Sequence, residues 1–293
     1  MDVRIGINPL TWTNDDMPEL GGNTPLEVCL AEARQAGYDG IELGNKFPRD
    51  ELVLRPILAR HGLALISGWY SARLLERSAA DEIAAVESHL ALLAAMGCTT
   101  MVFAEVTGCV HGDRRVPLSR RPRLTDDQWP ILAARMTEVA RHLAARGVRL
   151  AYHHHMGTVI ETEAEIDRLM ALTGPEVGLL LDTGHLTYAG GDPVALARRH
   201  AARIVHVHCK DVRPEVLAQA KRDDWSFLDA VLAGVFTVPG DGCVDYPGVL
   251  RILSEAGYRG WLVVEAEQDP AKAHPLTYAR MGHDYLRPKA RAA

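Results

Sequence analysis

The chain has 293 residues, of which 47% are hydrophobic and 24% are charged, a composition typical of folded globular proteins. The formal net charge of −6 indicates no basic surface, so nucleic acid is excluded as the expected partner. The five cysteines are scattered, and the first residues show neither a long apolar run nor a cleavage site. These features predict reduced thiols, no signal peptide and a cytoplasmic location. The lack of any apolar run of about 18 residues predicts no membrane span.

Short apolar runs alternate with longer amphipathic stretches along the whole chain. The runs lack a strict alternation of apolar and polar residues, as expected for strands that are covered on both faces. Eight strands are therefore predicted: Val3–Asn8, Gly40–Leu43, Ala64–Ser67, Thr100–Glu105, Arg149–His153, Val177–Leu181, Ile204–His208 and Trp261–Glu265.

Helical stretches lie between the predicted strands, and some begin with capping signals. Thr24 and Pro25 are typical of an N-cap followed by proline in the first turn, and Thr162 with Glu165 fits a capping box. Glycine repeatedly separates the end of a helix from the next strand. The predicted helices are Thr24–Ala36, Ala79–Met96, Thr125–Arg146, Thr162–Leu172, Pro193–Arg203 and Tyr246–Ala256.

Eight strands that alternate with helices favour a single (β/α)₈ TIM barrel of the α/β class over residues 1–293, an architecture that needs about 250 residues. A doubly wound sheet is the alternative, but it would normally have fewer strands or a second domain. Two longer inserts, residues 107–123 and 213–236, follow the fourth and seventh strands. The second insert is expected to contain a helix over Pro214–Leu232. In a barrel, both inserts lie on the face that carries active sites.

Polar and charged residues lie at the carboxyl ends of most predicted strands, and in a barrel these ends meet at one face. His153, Asp182, His208 and Glu265 come from four different strands. Two imidazoles and two carboxylates suit Mn²⁺, Co²⁺, Fe²⁺ or Zn²⁺ better than Mg²⁺ or Ca²⁺. No thiol is included, which argues against a structural zinc site. Alternatively, Asp182 could serve only as the N-cap of the following helix.

Three adjacent histidines follow the fifth strand and leave its metal ligand open. Side chains alternate along a strand, so His153 and His155 point to one side and His154 to the other. We therefore place His153 on the metal and His155 beside it. A single histidine is more often a hydrogen-bonded core or surface residue, whereas three in succession before Met-Gly-Thr favour a site.

The seventh and eighth strands end in further charged residues. By the period-two rule, His206, His208 and Lys210 share one face, and Lys210 is either a site residue or a salt-bridged surface residue. Glu265 and Glu267 also share a face. Glu265 lies nearer the rim of the barrel mouth, and a solvated loop acid is the alternative interpretation of Glu267.

Several segments of the chain resemble the inosose dehydratases, enzymes of inositol catabolism within the xylose isomerase-like TIM barrel superfamily. This superfamily includes sugar isomerases, epimerases, dehydratases and an endonuclease, which hold a divalent metal with ligands from the last four strands. Many members carry glutamate where this chain has His153. The similar segments are residues 8–16, 42–48, 67–70, 152–158, 181–185 and 239–242.

The resemblance implies dehydration of 2-keto-myo-inositol (scyllo-inosose) to a trihydroxycyclohexane-dione, with Mn²⁺ or Co²⁺ as the metal. Loss of water beside a ketone needs a base for the α proton and an acid for the departing hydroxide. His185 and His155 are the first candidates for these roles, followed by Lys210 and Glu42. Which of them is the base and which the acid stays open.

The polyol substrate is expected to contact Asn8, Asn45, Lys46, Trp69 and His206. Amide and ammonium groups hydrogen-bond with hydroxyls, and an aromatic ring can cover the apolar side of a sugar-like ring. Plain packing is an equally good interpretation of Trp69.

Three other functions are the alternatives. A ketose isomerase or epimerase would keep the metal and the base but expel no water. A DNA repair endonuclease of the same fold would need more metal ligands and a basic surface, which the net charge disfavours. A non-enzymatic module would bind a sugar without needing the metal. For the dehydratase, the expected partner is a small polyol ketone, without nucleic acid or membrane, and assembly into a homo-oligomer is left open.

Overall fold

Eight parallel strands close into a barrel in the computed structural model, which describes residues 1–293. In chain order the strands are β1 (Val3–Ile7), β2 (Gly40–Leu43), β3 (Ala64–Ala72), β4 (Thr100–Glu105), β5 (Arg149–His153), β6 (Val177–Asp182), β7 (Ile204–Cys209), β8 (Asp211–Val212), β9 (Phe236–Thr237) and β10 (Gly260–Val264). Around the barrel the order is β1, β10, β7, β6, β5, β4, β3, β2, while β8 and β9 form a separate antiparallel ribbon. The predicted TIM barrel is therefore confirmed.

The helices form an outer layer around the barrel. In chain order they are α1 (Leu26–Gln35), α2 (Glu51–His61), α3 (Ala79–Ala95), α4 (Gln128–Ala145), α5 (Glu163–Leu172), α6 (Thr183–Ala189), α7 (Pro193–His200), α8 (Pro214–Arg222), α9 (Phe227–Leu232), α10 (Tyr246–Glu255) and α11 (Pro275–Ala292). Apart from α8 and α9, their apolar sides pack with the strands into one continuous core. None of these helices is both long and apolar enough to cross a membrane.

The six predicted helices are present with small differences at their ends, and the capping box of Thr162 and Glu165 at the start of α5 is confirmed. The cap predicted for α1 is wrong. Pro25 is extended, so the helix begins only at Leu26, and no side chain caps it, Thr24 included. The sequence pattern also misses α2, α6 and α11. Both α2 and α11 contain an internal proline, which normally ends a helix, and α6 has only seven residues.

The insert after β7 differs from the single helix predicted over Pro214–Leu232. It contains two helices, α8 and α9, because Asp224 adopts a left-handed backbone with φ 47° and Ser226 then caps a new helix. A second hydrophobic cluster under the insert includes Phe236 and also Met17 from the loop between β1 and α1. The insert and this loop therefore pack together on the active face of the barrel.

Candidate active site

The carboxyl ends of the barrel strands bring the four predicted metal ligands together. His153 ends β5, Asp182 ends β6, His208 lies near the end of β7, and Glu265 follows β10. Asp182 is directly beside His208 in the register of β6 and β7. One ligand atom from each residue lies within 4.8 Å of the others, and all four side chains are buried. We call this group the four-ligand cluster.

Three atoms of the four-ligand cluster are buried without a hydrogen-bond partner, namely His153 Nδ1, Asp182 Oδ2 and His208 Nδ1. His208 Nδ1 lies 2.8 Å from Glu265 Oε2 and 3.6 Å from Asp182 Oδ2, outside hydrogen-bond geometry. His153 Nε2 lies 3.5 Å from the same Asp182 oxygen. Buried acceptor atoms that converge in this way are costly unless a cation joins them. The two imidazoles and two carboxylates therefore fit a divalent metal ion.

The charges around the four-ligand cluster also favour a cation. Burial opposes the ionisation of Glu265, but His208 and Lys210 outweigh burial and lower its pKa to about 2. Burial likewise opposes the ionisation of Asp182, yet its pKa is well below the usual range, chiefly because Lys210 is close. Burial disfavours the charged form of His208, but Glu265 and Glu42 raise its pKa well above the ordinary value. The carboxylates are thus ionised at neutral pH and attract positive charge to this point.

Glu42 on β2 accepts hydrogen bonds from three side chains next to the four-ligand cluster. Its carboxylate accepts hydrogen bonds from His206 Nε2 at 2.8 Å, Asn8 Nδ2 at 2.8 Å and His208 Nε2 at 3.2 Å. Burial opposes its ionisation, but His208 and His206 hold the pKa of Glu42 below its usual range. Because His208 Nε2 donates to Glu42, Nδ1 is the nitrogen that faces the cluster, and its lone pair becomes available to a metal ion once its proton has left. Glu42 therefore contacts a predicted ligand, and it also lines the cavity beside the cluster. The acid–base role of Glu42 stays a prediction.

Lys210 follows β7 and has no exposed surface. Its ammonium nitrogen lies 2.6 Å from Glu265 Oε1, 2.7 Å from Glu267 Oε2 and 2.9 Å from His185 Nε2. The stem of Lys210 runs over Gly184, where an added Cβ would collide with it, so the Leu-Asp-Thr-Gly-His motif needs glycine at this position. The buried contacts place Lys210 inside the site, and the interpretation of Lys210 as a surface residue is wrong.

The interpretation of Glu267 as a solvated loop acid is also wrong. Its side chain is only 3% exposed, and it lines the cavity beside the cluster. Burial raises the pKa of Glu267 to about 7, and the nearby Lys210 only partly offsets this effect. A carboxyl group with such a pKa can exchange a proton near neutral pH. The sequence contained one signal for this position. Glu267 lies two residues after Glu265, and this spacing predicts that both side chains point to the same face.

His155 and His185 lie side by side, with ring centres 3.9 Å apart. His155 Nδ1 donates to the Met156 carbonyl at 2.8 Å, so its Nε2 carries the free lone pair, whereas His185 Nε2 accepts from Lys210. Burial lowers the pKa of both histidines well below the usual value, so both rings are neutral at pH 7. A nitrogen of each ring lies within 4.8 Å of a carboxylate oxygen of Glu267. These three residues form a potential proton-transfer group.

Two other polar residues at strand ends have structural tasks. His154 Nε2 accepts a hydrogen bond from the backbone N–H of Asp182 at 3.4 Å, on the side of β5 away from His153, as strand alternation predicts. Glu105 at the end of β4 accepts from the backbone N–H groups of Leu74 at 2.6 Å and Thr107 at 2.9 Å. Neither residue contributes to the cavity wall.

A cavity of about 270 Å³ adjoins the four-ligand cluster. Of the predicted substrate-binding residues, Asn8, Asn45 and Trp69 line this cavity, while His206 is buried and does not reach its wall. Lys46 does not line the cavity either. Its ammonium group donates to three backbone carbonyls of the β1–α1 loop, which draws the side chain away from the predicted position.

The cavity wall contains four further residues with ionisable side chains that the sequence pattern did not assign to the site. They are Asp15, Asp16, Arg49 and His111. Asp15 and Asp16 lie in the segment 8–16, so its resemblance to the inosose dehydratases was the available signal. All four belong to loops, whose course no periodicity reveals.

Comparison with known proteins agrees with this geometry. A family model described as the xylose isomerase-like TIM barrel matches residues 30–289. The chain is 57% identical to the Rhizopine catabolism protein MocC of Rhizobium meliloti, over 100% of the chain and 90% of that protein. It is 45% identical to the inosose dehydratase of Geobacillus thermodenitrificans, over 97% of the chain and 96% of that protein.

Solved structures show the same fold at low sequence identity. The structure of L-ribulose 3-epimerase matches with a TM-score of 0.71 at 20% identity, over 99% of this chain and 95% of that one. The IOLI protein with a binding zinc atom matches with a TM-score of 0.68 at 15% identity, over 99% and 98%. The chain belongs to the xylose isomerase-like TIM barrel family. Within this family it groups with MocC and the inosose dehydratases, which confirms the resemblance that its motifs indicate.

Proposed function

We propose that this protein is a metal-dependent dehydratase, a carbon–oxygen lyase that removes water from 2-keto-myo-inositol in inositol catabolism. The observation that carries this proposal is the four-ligand cluster next to a cavity that His155 and Glu267 also line. The inosose dehydratases, which are 42–45% identical over nearly the whole chain, support this activity over that of a ketose isomerase or epimerase.

The residues of the four-ligand cluster, His153, Asp182, His208 and Glu265, would hold the metal ion. From the mixed nitrogen and oxygen donors we expect Mn²⁺ or Co²⁺. When bound, the ion supplies Lewis-acid stabilisation of negative charge on the ketone oxygen of the substrate. Glu42 contributes by keeping His208 turned so that Nδ1 faces the cluster.

His155 is the proposed base that removes the α proton. Its ring is neutral, its Nδ1 is occupied by the Met156 carbonyl, and its Nε2 is therefore available to accept a proton. His155 also lines the cavity. His185 is less suited to this role because its Nε2 already accepts a hydrogen bond from Lys210. We assign His185 to holding Lys210 in place.

Glu267 is the proposed acid that protonates the departing hydroxide. Its pKa of about 7 keeps much of the carboxyl group protonated near neutral pH. Lys210, at 2.7 Å, stabilises the carboxylate that remains after the proton has moved. A carboxylate oxygen of Glu267 lies within 4.8 Å of a ring nitrogen of His155. This spacing suits a substrate that loses its proton and its hydroxyl from neighbouring carbons on the same face of the ring.

Other residues of the cavity wall are suited to binding the hydroxyls that do not react. Asn45, Asp15, Asp16 and Arg49 offer amide, carboxylate and guanidinium groups there. Trp69 adds an aromatic ring, which is 37% exposed and lies 5.3 Å from the ring of His153. We expect this ring to cover the apolar side of the substrate.

The test is a dehydration assay on 2-keto-myo-inositol combined with elemental analysis of the purified protein. The conjugated product absorbs ultraviolet light, so we expect absorbance to rise with Mn²⁺ or Co²⁺ present. Activity should disappear after chelation and return when the ion is restored. Conversion of a ketose into an isomer without a new absorbance would instead identify an epimerase.

We also expect the enzyme to be cytoplasmic, which its five free cysteines support. Assembly into a homo-oligomer stays a prediction, and light scattering of the purified protein checks it.

A further inference from the structure

Lys46 connects two loops at the mouth of the barrel. It lies in the loop between β2 and α2, and its ammonium nitrogen donates to the carbonyls of Gly21 at 3.2 Å, Gly22 at 2.7 Å and Thr24 at 2.5 Å. These carbonyls belong to the loop between β1 and α1, more than twenty residues earlier in the chain. A lysine has three ammonium hydrogens, so this one side chain uses all of them on a single neighbouring loop.

The position of Lys46 is electrostatically unusual. The three carbonyls immediately precede α1, and the amino end of a helix carries partial positive charge that repels a lysine. The convergent carbonyl oxygens offset this repulsion, because each presents a negative dipole end to the ammonium group. Thus the contact depends on the particular course of residues 21–24 and would be lost if the loop moved away.

A second contact joins the same two loops close to the cavity. The backbone of Asn45 lies beside the carboxylate of Asp15 and partly offsets the rise that burial causes in the pKa of Asp15. The side chain of Asn14 accepts hydrogen bonds from the backbone N–H groups of Asp16 and Met17, at 2.9 Å and 2.8 Å, so the segment that carries both aspartates is ordered. Lys46 therefore fixes the far end of a loop whose middle forms the cavity wall.

The two loops supply a large part of that wall. Six of its 16 residues come from them: Asn8, Leu10, Asp15, Asp16, Asn45 and Arg49. In contrast, the four-ligand cluster, Lys210 and Glu267 come from β5, β6, β7 and the segments that follow β7 and β10. The carbonyls that Lys46 contacts belong to residues 21–24, at the end of the loop remote from Asn8, which donates to Glu265. Lys46 itself contacts neither the four-ligand cluster nor Glu267.

We propose that Lys46 is a positioning residue that holds the β1–α1 loop against the cavity and so determines how tightly the polyol binds. This proposal rests on the proposed function only for the identity of the polyol. When Lys46 is replaced by methionine, the hydrophobic stem remains and the three hydrogen bonds are lost. The loop should then open more often, and the substrate must restore its order on binding.

The experiment compares Lys46→Met with Lys272→Met and the wild-type protein. Lys272 is a matched control because its exposed ammonium group also donates to a backbone carbonyl, that of Leu232 at 2.8 Å, but not on the β1–α1 loop. Hydrogen exchange of residues 12–25, metal content, kcat and KM for 2-keto-myo-inositol, and the calorimetric Kd for the unreactive polyol myo-inositol are measured for all three proteins.

For Lys46→Met we expect faster exchange in residues 12–25 and about a tenfold rise in both KM and Kd, with kcat and metal content close to wild type. Lys272→Met should change none of these. Faster exchange with unchanged KM and Kd, unchanged exchange, or an equal loss of kcat would each overturn the positioning role. If the wild-type protein binds myo-inositol but does not dehydrate the ketone, the proposed function fails, and Kd and exchange still decide the role of Lys46.

Discussion

The two sides of the cavity are built in different ways. On the side of β5, β6, β7 and β10, polar groups are buried and bound to each other, and Asp182 and Lys210 have no exposed surface. On the side of the β1–α1 and β2–α2 loops, Asp15, Asp16 and Asn45 are exposed. Burial shifts pKa values and sharpens electrostatic interactions, so the first side is suited to chemistry and the second to recognition. Substitutions on the first side should lower kcat or metal affinity, and those on the second should raise KM.

The largest effect is expected for Asp182→Asn on the buried side. Asp182 Oδ1 caps α6 by accepting from the backbone N–H of His185 at 2.8 Å, and asparagine can keep this cap while it removes the charge at Oδ2. We expect loss of bound metal and a fall in turnover of about a thousandfold or more. Elemental analysis and the dehydration assay measure both. Wild-type turnover in a correctly folded variant would contradict the ligand assignment.

The helix cap can be separated from the metal by a second variant at this position. Asp182→Ala removes the cap as well as the charge. Its free energy of unfolding should therefore be about 1 kcal/mol lower than that of Asp182→Asn. Thermal unfolding of the two metal-free variants checks this difference.

Glu267→Gln should have the next largest effect, about a hundredfold on kcat, because it removes the proposed acid but keeps the shape of the side chain. A general acid must be protonated to act. With a pKa of about 7, the wild-type kcat should be constant below neutral pH and fall as the pH rises above 7. This alkaline decline should be absent in Glu267→Gln. A wild-type kcat that instead falls below pH 7 would mean that Glu267 acts as a base.

Glu42→Gln tests a residue that hydrogen-bonds to the predicted metal ligand His208. The glutamine amide can donate as well as accept, whereas the carboxylate of Glu42 only accepts. The variant therefore no longer selects the tautomers of His206 and His208 that carry a proton on Nε2. We expect metal affinity to fall by about 10- to 100-fold, as is typical when a partner of a metal ligand is changed. Calorimetric titration with Mn²⁺ and the visible spectrum of the Co²⁺ form measure this. An unchanged Kd for Mn²⁺ would show that Glu42 does not contribute to metal binding through His208.

The contrast between the two sides also explains which features the sequence could predict. The barrel was predictable because each apolar run is continuous and buried on both faces, which local composition records. The positions of His153, Asp182, His208 and Glu265 were predictable because each lies at or next to the carboxyl end of such a run. Their convergence follows from the parallel topology alone.

The remaining residues depend on contacts that are distant in sequence. Glu267 is paired with Lys210, which follows β7 and lies 57 residues earlier in the chain. Similarly, nothing in the sequence around Lys46 indicates that its partners are Gly22 and its neighbours rather than a hydroxyl of the substrate. A lysine is chemically suited to both tasks, and only the course of the β1–α1 loop distinguishes them.

Trp69→Leu tests the exposed side, with the smallest expected effect. The indole is 37% exposed and lies 5.3 Å and 5.6 Å from the rings of His153 and His155. By contrast, Trp12 is 1% exposed and donates to Glu32 at 2.6 Å, so packing is its main role. Loss of the aromatic face should raise KM by about three- to tenfold and leave kcat and Tm unchanged.

The conservative variant Trp69→Phe separates ring stacking from simple occupation of space. It keeps an aromatic face but loses the hydrogen bond from the indole Nε1 to Ser71 Oγ at 2.8 Å. If the face covers the substrate, Trp69→Phe should retain a KM near that of wild type. If Trp69 chiefly shields the two histidines from water, both variants should lower kcat, and Trp69 would then belong functionally to the buried side.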